Sequence, residues 1–275
     1  MPKVKVCVLR TAGTNCDKET AFAFRKAGSE PESVHINSLI RAEKKLEDFQ
    51  VLALPGGFSY GDDLGAGKIL ANELRCRLAE DVRRFIKDGK LVIGICNGFQ
   101  ILVKAGILPG TRPYRIGRCV PLHRNSELKQ EASLIINDSG KFEDRWVYLK
   151  SPQNKCVWTK CLPEVIYLPV AHGEGKFVTG DKKVLARLKR NKQIVFQYCD
   201  EKGALSGYPH NPNGSIENIA GICDETGRIL GLMPHPERHV YGEQHPRWAG
   251  ERLRAAGDGL TIIRNGVEYA QKTLL

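Results

Sequence analysis

The fold is decided by the stretch Leu91-Val-Ile-Gly-Ile-Cys96-Asn-Gly-Phe-Gln-Ile-Leu-Val103. Its first half is an apolar strand and its second half has the pattern of a helix, with Cys96 at the junction. Gly94 and Gly98 provide the small neighbours that a sharp strand-to-helix turn needs. The amide groups that open the helix favour a negatively charged thiolate. We therefore predict that Cys96 is a nucleophile; the alternative is an ordinary cysteine buried at a strand end.

The sequence before this stretch alternates strands with helices. Strands are predicted at residues 3–9, 33–36 and 51–54. Helices are predicted at 17–26, closed by Gly28, and at 69–85, with a short helix between the second and third strands. Buried strands that are apolar throughout are typical of a parallel sheet covered by helices on both faces. We predict an α/β fold whose ligands gather at the carboxyl ends of the strands.

In the second half of the chain strands and helices alternate less regularly, which indicates additional antiparallel β structure. Strand-like segments fall at residues 134–136, 146–149, 165–168, 194–198, 219–223 and 229–233, and a closing helix is predicted over 259–274. No convincing linker interrupts the pattern. We predict a single domain over residues 3–273.

A candidate base follows the last of these segments, in Met233-Pro-His235-Pro-Glu237-Arg-His239. Pro236 favours an extended backbone at His235, and residues two apart in extended chain project to the same side. Glu237 can then hold the imidazole of His235 while His235 takes the proton of Cys96. A zinc site on His235 and His239 is rejected, because Pro236 would break the helix that such a motif requires.

A glycine-rich turn, Pro55-Gly-Gly57-Phe58-Ser-Tyr-Gly-Asp62, comes directly after the strand at 51–54. Its backbone can aim amide N–H groups at the crevice beyond the strand ends, where an oxyanion needs two donors. We predict one donor at Gly57 or Phe58 and the other at Asn97. The alternative is an ordinary glycine turn.

Composition limits the other functions of the chain. The net charge of +11 allows a nucleic acid or an acidic partner, but the basic residues are dispersed apart from a run at 182–192 that no aromatic residue interrupts. Nine scattered cysteines indicate a reducing compartment, and Cys156 and Cys161 lack the second pair of a metal motif. With no signal peptide and no apolar run long enough for a bilayer, the prediction is a cytoplasmic protein without metal, nucleic acid or membrane.

Together these motifs resemble the class I, triad-type glutamine amidotransferases, and most closely the glutaminase subunit of phosphoribosylformylglycinamidine synthase. The segments that carry the resemblance are residues 13–17, 55–62, 94–100, 137–146, 171–175, 211–217 and 233–238. The family pattern expects tyrosine and arginine where this chain has Asp63 and Gly65.

The resemblance implies a flavodoxin-like fold and a catalytic triad of Cys96, His235 and Glu237. It also implies that Gln100, His172, Gly173 and Glu174 lie near the substrate, L-glutamine. The chain would need no cofactor of its own. Ammonia would pass to a large synthetase subunit that uses ATP and magnesium to make formylglycinamidine ribonucleotide in purine biosynthesis, and a small third subunit is expected.

Two alternatives remain at the level of sequence. The chain could be the glutaminase module of a different amidotransferase, although the amino-acid sequence at residues 58–62 and 97–100 weighs against this alternative. It could also be a non-catalytic α/β binding protein that uses its positive charge, in which case the triad residues would be a coincidence.

Overall fold

The computed structural model describes residues 2–62, 64–110, 130–250 and 255–275. The strands in these ranges are β1 (Lys5–Arg10), β2 (Glu30–His35), β3 (Val51–Leu54), β4 (Leu91–Ile95), β5 (Ala132–Ile135), β6 (Glu143–Lys150), β7 (Val165–His172), β8 (Lys176–Thr179), β9 (Ile194–Cys199), β10 (Ile219–Cys223) and β11 (Ile229–Leu232). The helices are α1 (Asp17–Lys26), α2 (Ile36–Ile40), α3 (Lys68–Cys76), α4 (Ala79–Lys87), α5 (Asn97–Lys104), α6 (Lys182–Arg190) and α7 (Asp258–Thr273).

Nine strands form one central sheet in the order β2-β1-β3-β4-β11-β10-β9-β6-β7. Neighbours from β2 to β11 are parallel, and neighbours from β11 to β7 are antiparallel. A separate antiparallel pair joins β5 and β8. The predicted α/β fold with added antiparallel structure is therefore confirmed.

The carboxyl ends of β3, β4 and β11 bring the predicted motifs to one edge of the sheet. Strand β4 is buried throughout and lies between β3 and β11. Because the three strands are parallel, the turns that follow them meet at the same edge. Two groups of packed helices accompany the sheet, α1 with α7 and α3 with α4 and α5.

The structure differs from the sequence prediction at residues 69–85, where one helix was expected. The chain breaks at Arg77 and Leu78, and α3 and α4 pack against each other. The apolar spacing continues through Leu74, Leu78 and Val82, all buried, so it conceals the break. Tertiary packing of the two helices overrides the continuous pattern.

Two elements were not predicted from the sequence, the strand β8 and the helix α6. Helix α6 covers most of the basic run at 182–192, and the Asp181 side chain caps it by accepting a hydrogen bond from Val184 N at 2.9 Å. Val184 and Leu188 are buried, while the basic residues occupy other positions of the helix. The run is thus one face of an amphipathic helix.

The cysteines and the helices can each be compared with the sequence-based expectations. Among the described residues seven cysteines are free thiols, whereas Cys76 is disulfide-bonded, which departs from the expected reducing compartment. Among the described helices, none combines the length and the apolar composition needed to cross a bilayer.

Candidate active site

Cys96 lies on a sharp turn between β4 and α5, with φ 51° and ψ −105°. A Cβ at Gly98 would lie 1.9 Å from the carbonyl oxygen of Leu54, and one at Gly94 would lie 2.6 Å from the carbonyl oxygen of Gly98. Both glycines are therefore required by the close approach of backbone to backbone. The Cys96 N–H donates to Leu232 O at 2.8 Å, which ties the turn to β11.

His235 and Glu237 follow β11 and are buried, each 2% exposed. Nδ1 of His235 lies 2.6 Å from Oε1 of Glu237, as the sequence predicted, but the backbone is not extended there. Pro236 begins a short helical turn that ends at Arg238. The His235 N–H also donates to Pro169 O at 2.8 Å, so the antiparallel half of the sheet helps to position the base.

Three side chains of the site converge on Gly56. A Cβ at this position would lie 2.8 Å from Cε1 of His235, 3.1 Å from Sγ of Cys16 and 3.5 Å from Cβ of Cys96. The absence of a side chain at Gly56 therefore lets the imidazole approach both cysteines. The Cys96 thiol also lies 3.6 Å from the carbonyl oxygen of Ala171.

The electrostatics of the site favour a protonated imidazole. Burial lowers the pKa of His235, but the Glu237 carboxylate and the Cys96 sulfur outweigh it, and the pKa is raised well above its ordinary 6.5. Nε2 of His235 is buried, and the Cys16 and Cys96 thiols interact with the imidazole and also raise its pKa. An imidazole in this setting can take a proton from a thiol and hold it beside the resulting thiolate.

The predicted oxyanion donors are only partly available. The Phe58 N–H donates to Gly13 O at 2.9 Å, so the prediction that Phe58 could supply this donor is corrected. No acceptor for the Gly57 N–H occurs in the described ranges, and Gly57 lines the cavity described below. The Asn97 N–H belongs to the first turn of α5, where amides have no intrahelical partner. Gly57 and Asn97 are thus the two predicted residues whose N–H groups remain available to donate to an oxyanion.

A cavity of about 320 Å³ opens above Cys96. The site residues predicted from the sequence that line it are Gly57, Phe58, Cys96, Gln100, His172, Gly173, Glu174 and His235. Residues that also line it but were not predicted as site residues are Asn15, Cys16, Asp62, Ala66, Phe142, Ala171 and Arg238. Glu237 and Asn97 are not among the lining residues and act from behind the cavity wall.

A hydrogen-bonded network beneath the cavity fixes Gln100. Its Nε2 donates to Glu174 O at 2.5 Å, and its Oε1 accepts from Asn97 Nδ2 at 3.0 Å. The Asn97 Oδ1 accepts from the Ser59 hydroxyl at 2.6 Å, and its Nδ2 approaches Asp62 at 3.3 Å. Burial raises the pKa of Asp62, although the Gly67 N–H and Asn97 oppose that rise. Gln100 therefore positions the Glu174 segment.

The His172 side chain is held by structural contacts. Its ring lies between Asn137 Oδ1 at 3.2 Å and Asn213 Nδ2 at 3.5 Å, and a Cβ at Gly175 would lie 2.3 Å from Cε1 of the ring. Burial, together with the charge of His235, lowers the pKa of His172 to about 3. The imidazole is therefore neutral and stabilises the backbone of residues 171–174.

Cys16 and Arg238 are site residues that sequence reasoning did not single out. Arg238 donates from Nε to Glu19 Oε2 at 2.8 Å and from Nη2 to Cys16 Sγ at 3.2 Å. Both residues lie in segments that carry the family resemblance, and that resemblance was the sequence signal that could have identified them. Asp63 lies outside the described residues, and Gly65 has a φ of 102°.

Among the described residues, one group of three side chains is close enough to hold a metal ion: Cys16, His235 and Glu237. The weak metal pair Cys156 and Cys161 is not part of such a group; Cys156 is buried and Cys161 is exposed. His239 Nδ1 lies 2.8 Å from Tyr167 O and takes no part in the site.

This arrangement of a thiol, a base and an orienting carboxylate beside a glycine turn has counterparts among known proteins. The sequence profile of the CobB/CobQ-like glutamine amidotransferase domain matches residues 3–270. The chain belongs to this family. Within it, the chain is 52% identical to phosphoribosylformylglycinamidine synthase subunit PurQ of Dehalococcoides mccartyi, over 99% of this chain and 100% of that protein.

Other relatives of this glutamine amidotransferase agree along its full length. The PurQ subunit of Archaeoglobus fulgidus is 46% identical over 98% of each chain. Among solved structures, a chain of PurLQS from Thermotoga maritima superposes with a TM-score of 0.71 at 31% identity, covering 98% of this chain and 99% of that one. The likeness thus includes both halves of the sheet.

Proposed function

We propose that this glutamine amidotransferase is the glutaminase subunit of a phosphoribosylformylglycinamidine synthase. It hydrolyses L-glutamine and passes the ammonia to a synthetase subunit that forms formylglycinamidine ribonucleotide from formylglycinamide ribonucleotide with ATP. The observation that carries the proposal is the convergence of Cys96 and the buried His235–Glu237 pair on a cavity of about 320 Å³. The sequence similarity to PurQ subunits along nearly the full length supports the proposal that the ammonia is used to form formylglycinamidine ribonucleotide.

The first half of the proposed reaction forms a thioester. The Cys96 thiolate attacks the carboxamide carbon of glutamine, while His235 holds the proton that the thiol has lost. The oxygen becomes an anion in the tetrahedral intermediate, and the Gly57 and Asn97 N–H groups donate to it. His235 then protonates the amide nitrogen, which leaves as ammonia as the carbon–nitrogen bond breaks.

The second half of the reaction regenerates the thiol. Water attacks the thioester carbonyl carbon, His235 takes the water proton, and a second tetrahedral intermediate forms in the same oxyanion site. Collapse of that intermediate breaks the carbon–sulfur bond and releases glutamate. Glu237 keeps the imidazole in one orientation through both halves.

The wall of the cavity supplies the proposed contacts to the amino acid part of glutamine. The Glu174 side chain lines the cavity and lies 3.9 Å from Lys104 Nζ, and its carboxylate can attract the substrate ammonium group. Gln100 and the His172 backbone hold Gly173 and Glu174 in place. These residues therefore act mainly by positioning.

The proposed assembly follows from the relatives. The Thermotoga maritima structure is described as PurLQS, which supports a complex with a large synthetase subunit and a small third subunit. ATP and magnesium belong to the synthetase, and this chain needs no cofactor for the steps above. The proposed location is the cytoplasm, where the nucleotide substrates of such a synthetase occur.

The test measures glutamate release by the wild type and by Cys96→Ala, each mixed with the synthetase subunits. We expect the variant to lose glutamine-dependent product formation and to retain product formation from added ammonium, because only the glutaminase step is removed. Equal glutamate release by both proteins would refute the proposal. Activation of a different synthetase in place of this one would favour the alternative module.

A further inference from the structure

Two buried asparagines, Asn137 and Asn213, lie behind the cavity wall, and the proposed hydrolysis does not use them. Asn137 is 2% exposed and Asn213 is fully buried, and neither lines the cavity. Both contact the wall segment at residues 173–175, which connects β7 of the central sheet to β8 of the separate pair and belongs to neither strand. The backbone groups of this segment therefore need partners other than a strand ladder.

Asn137 bonds to the wall at three successive points. Its Nδ2 donates to His172 O at 2.8 Å, its Oδ1 accepts from the Gly175 N–H at 2.9 Å, and its own N–H donates to Gly173 O at 2.9 Å. Nδ2 also donates to Lys141 O at 2.9 Å. A single residue thus joins the turn after β5 to the cavity wall.

Asn213 holds the far end of the same segment. Its Nδ2 donates to Gly175 O at 2.9 Å and to the Tyr198 hydroxyl of β9 at 3.2 Å. Its Oδ1 accepts from the N–H of Ser215 at 3.1 Å and from the hydroxyl of Ser215 at 2.7 Å. The Ser215 oxygen accepts in turn from the Phe177 N–H of β8 at 2.9 Å. Asn213 therefore ties the wall to the central sheet and to the β5–β8 pair.

These bonds also fix the tautomer of His172. Backbone N–H groups can only donate and carbonyl oxygens can only accept, so the oxygen and nitrogen of each amide cannot be exchanged. Asn137 Oδ1 then faces Nδ1 of the His172 ring at 3.2 Å, and Asn213 Nδ2 faces Nε2 at 3.5 Å. The ring proton is therefore on Nδ1. Both ring nitrogens are occupied, so His172 is not an additional acid or base.

We infer that Asn137 and Asn213 are positioning residues that form a clamp on the wall segment and thereby set the affinity of the site for the amino acid end of glutamine. The inference rests on the proposed function, in which the Glu174 carboxylate attracts the substrate ammonium group. Glu174 lies between Gly173 and Gly175, and the clamp holds both of these neighbours. Because glycines restrict the backbone little, Glu174 would lose its position without the clamp.

The clamp acts on binding and leaves the bond-making groups in place. Cys96 and His235 follow β4 and β11 in the parallel half of the sheet, and Gly57 follows β3. The hydrogen bonds of the two asparagines described above reach none of these three residues. Loss of the clamp therefore removes binding that the substrate and the transition state share, which raises KM and leaves kcat nearly unchanged.

The first test is steady-state glutamine hydrolysis by the complex with the synthetase subunits, with Asn137→Ala and Asn213→Ala as the variants. We expect KM for glutamine to rise about 10-fold in each variant and kcat to stay within about threefold of wild type. An unchanged KM, or a fall in kcat that exceeds the rise in KM, would overturn the inference. Product formation from added ammonium is the control for intact assembly.

Asn137→Asp should share the defect of Asn137→Ala. The aspartate still accepts from the Gly175 N–H, but its second oxygen would face the carbonyl oxygens of His172 and Lys141 instead of donating to them. A wild-type KM in this variant would show that the donated bonds are dispensable and would also overturn the inference.

Asn154→Ala is the matched control, because the Asn154 side chain is bonded just as fully at a distance from the wall. Four groups outside the cavity lining bond to it at 2.8–3.0 Å: Ser151 Oγ, Pro152 O, Cys156 N and Thr159 Oγ1. We expect this variant to lose stability and to keep the wild-type KM. A KM raised as much as in Asn137→Ala would attribute the effect to lost stability and contradict the clamp.

A second measurement uses the wild-type clamp. In ¹⁵N NMR spectra of the histidine-labelled chain, the His172 signals, assigned by their loss in His172→Gln, should show a protonated Nδ1 and an unprotonated Nε2. The ring should stay neutral down to about pH 5, because burial lowers its pKa to about 3. A protonated Nε2 would mean that one amide is turned over, and it would overturn the inference even if Asn137→Ala and Asn213→Ala do not fold.

The clamp and the proposed function fail in different ways. A wild-type complex that releases no glutamate would contradict the proposed function, whichever tautomer His172 has. Glutamate release that depends on Cys96, together with a wild-type KM in Asn137→Ala and Asn213→Ala, would support the proposed function and overturn the clamp.

Discussion

Nδ1 of His235 lies 2.6 Å from Oε1 of Glu237, in a pair that solvent scarcely reaches. A carboxylate in this position accepts the Nδ1 proton and leaves Nε2 to exchange protons with the substrate and the nucleophile. The pair therefore sets both the orientation of the base and its affinity for a proton. Two predictions follow from separating these effects.

Glu237→Gln should lower kcat for glutamine hydrolysis by about 10²- to 10⁴-fold, less than the loss caused by Cys96→Ala. The amide keeps the shape of the side chain but removes its charge and can donate to the imidazole, which stabilises the wrong tautomer. The measurement is glutamate release in the complex, with ammonium-dependent product formation as the control for intact assembly. A rate within threefold of wild type would contradict the assigned role.

The same variant should change how stability depends on pH. The pKa of His235 is raised in the folded state above its ordinary 6.5, so its contribution to the free energy of unfolding is fully present below pH 6.5. That contribution is lost as the pH rises through the folded pKa. Urea denaturation of the wild type and Glu237→Gln should show a difference that is larger at about pH 6.5 than at about pH 9; an increase with pH would disprove the assignment.

The contribution of His172 to the free energy of unfolding should depend on pH with the opposite sign. Its folded pKa of about 3 lies below the ordinary 6.5, so the unfolded chain binds the additional proton between these values and stability falls as the pH falls below 6.5. The slope approaches about 1.4 kcal/mol per pH unit. The stability of the wild type relative to His172→Gln should therefore drop by about 2 kcal/mol between about pH 6.5 and pH 5, and a constant difference would contradict the buried neutral imidazole.

Gly98→Ala should destabilise the chain by about 3 kcal/mol, because its Cβ would lie 1.9 Å from Leu54 O and would separate α5 from β3. The matched control is Gly207→Ala, where no atom lies within 4 Å of the added Cβ. We expect the control to stay within about 0.5 kcal/mol of wild type. The free energies of unfolding from urea titration check both values, and similar results for the two variants would mean that the turn can relax.

The sequence was most informative where the signal is local. The apolar strand β4, the glycines beside Cys96 and the two-residue spacing of His235 and Glu237 are all readable without a partner elsewhere in the chain. It was least informative where packing decides, as at Leu78, which continues an apolar helical pattern and yet lies at the break between two helices. Helix α6 was not predicted, because its sequence is mostly basic and contains only two buried aliphatic residues, Val184 and Leu188.

The sequence by itself predicted the candidate nucleophile, its base and the orienter, and it determined the α/β architecture, because backbone periodicity and turn chemistry depend on residues a few positions apart. Only the tertiary structure decided that the Phe58 amide is occupied by Gly13 and that His172 is a neutral structural side chain. It also placed Cys16 beside His235, far along the chain. These contacts depend on strand order and on the geometry beyond the strand ends, which no local pattern of residues specifies.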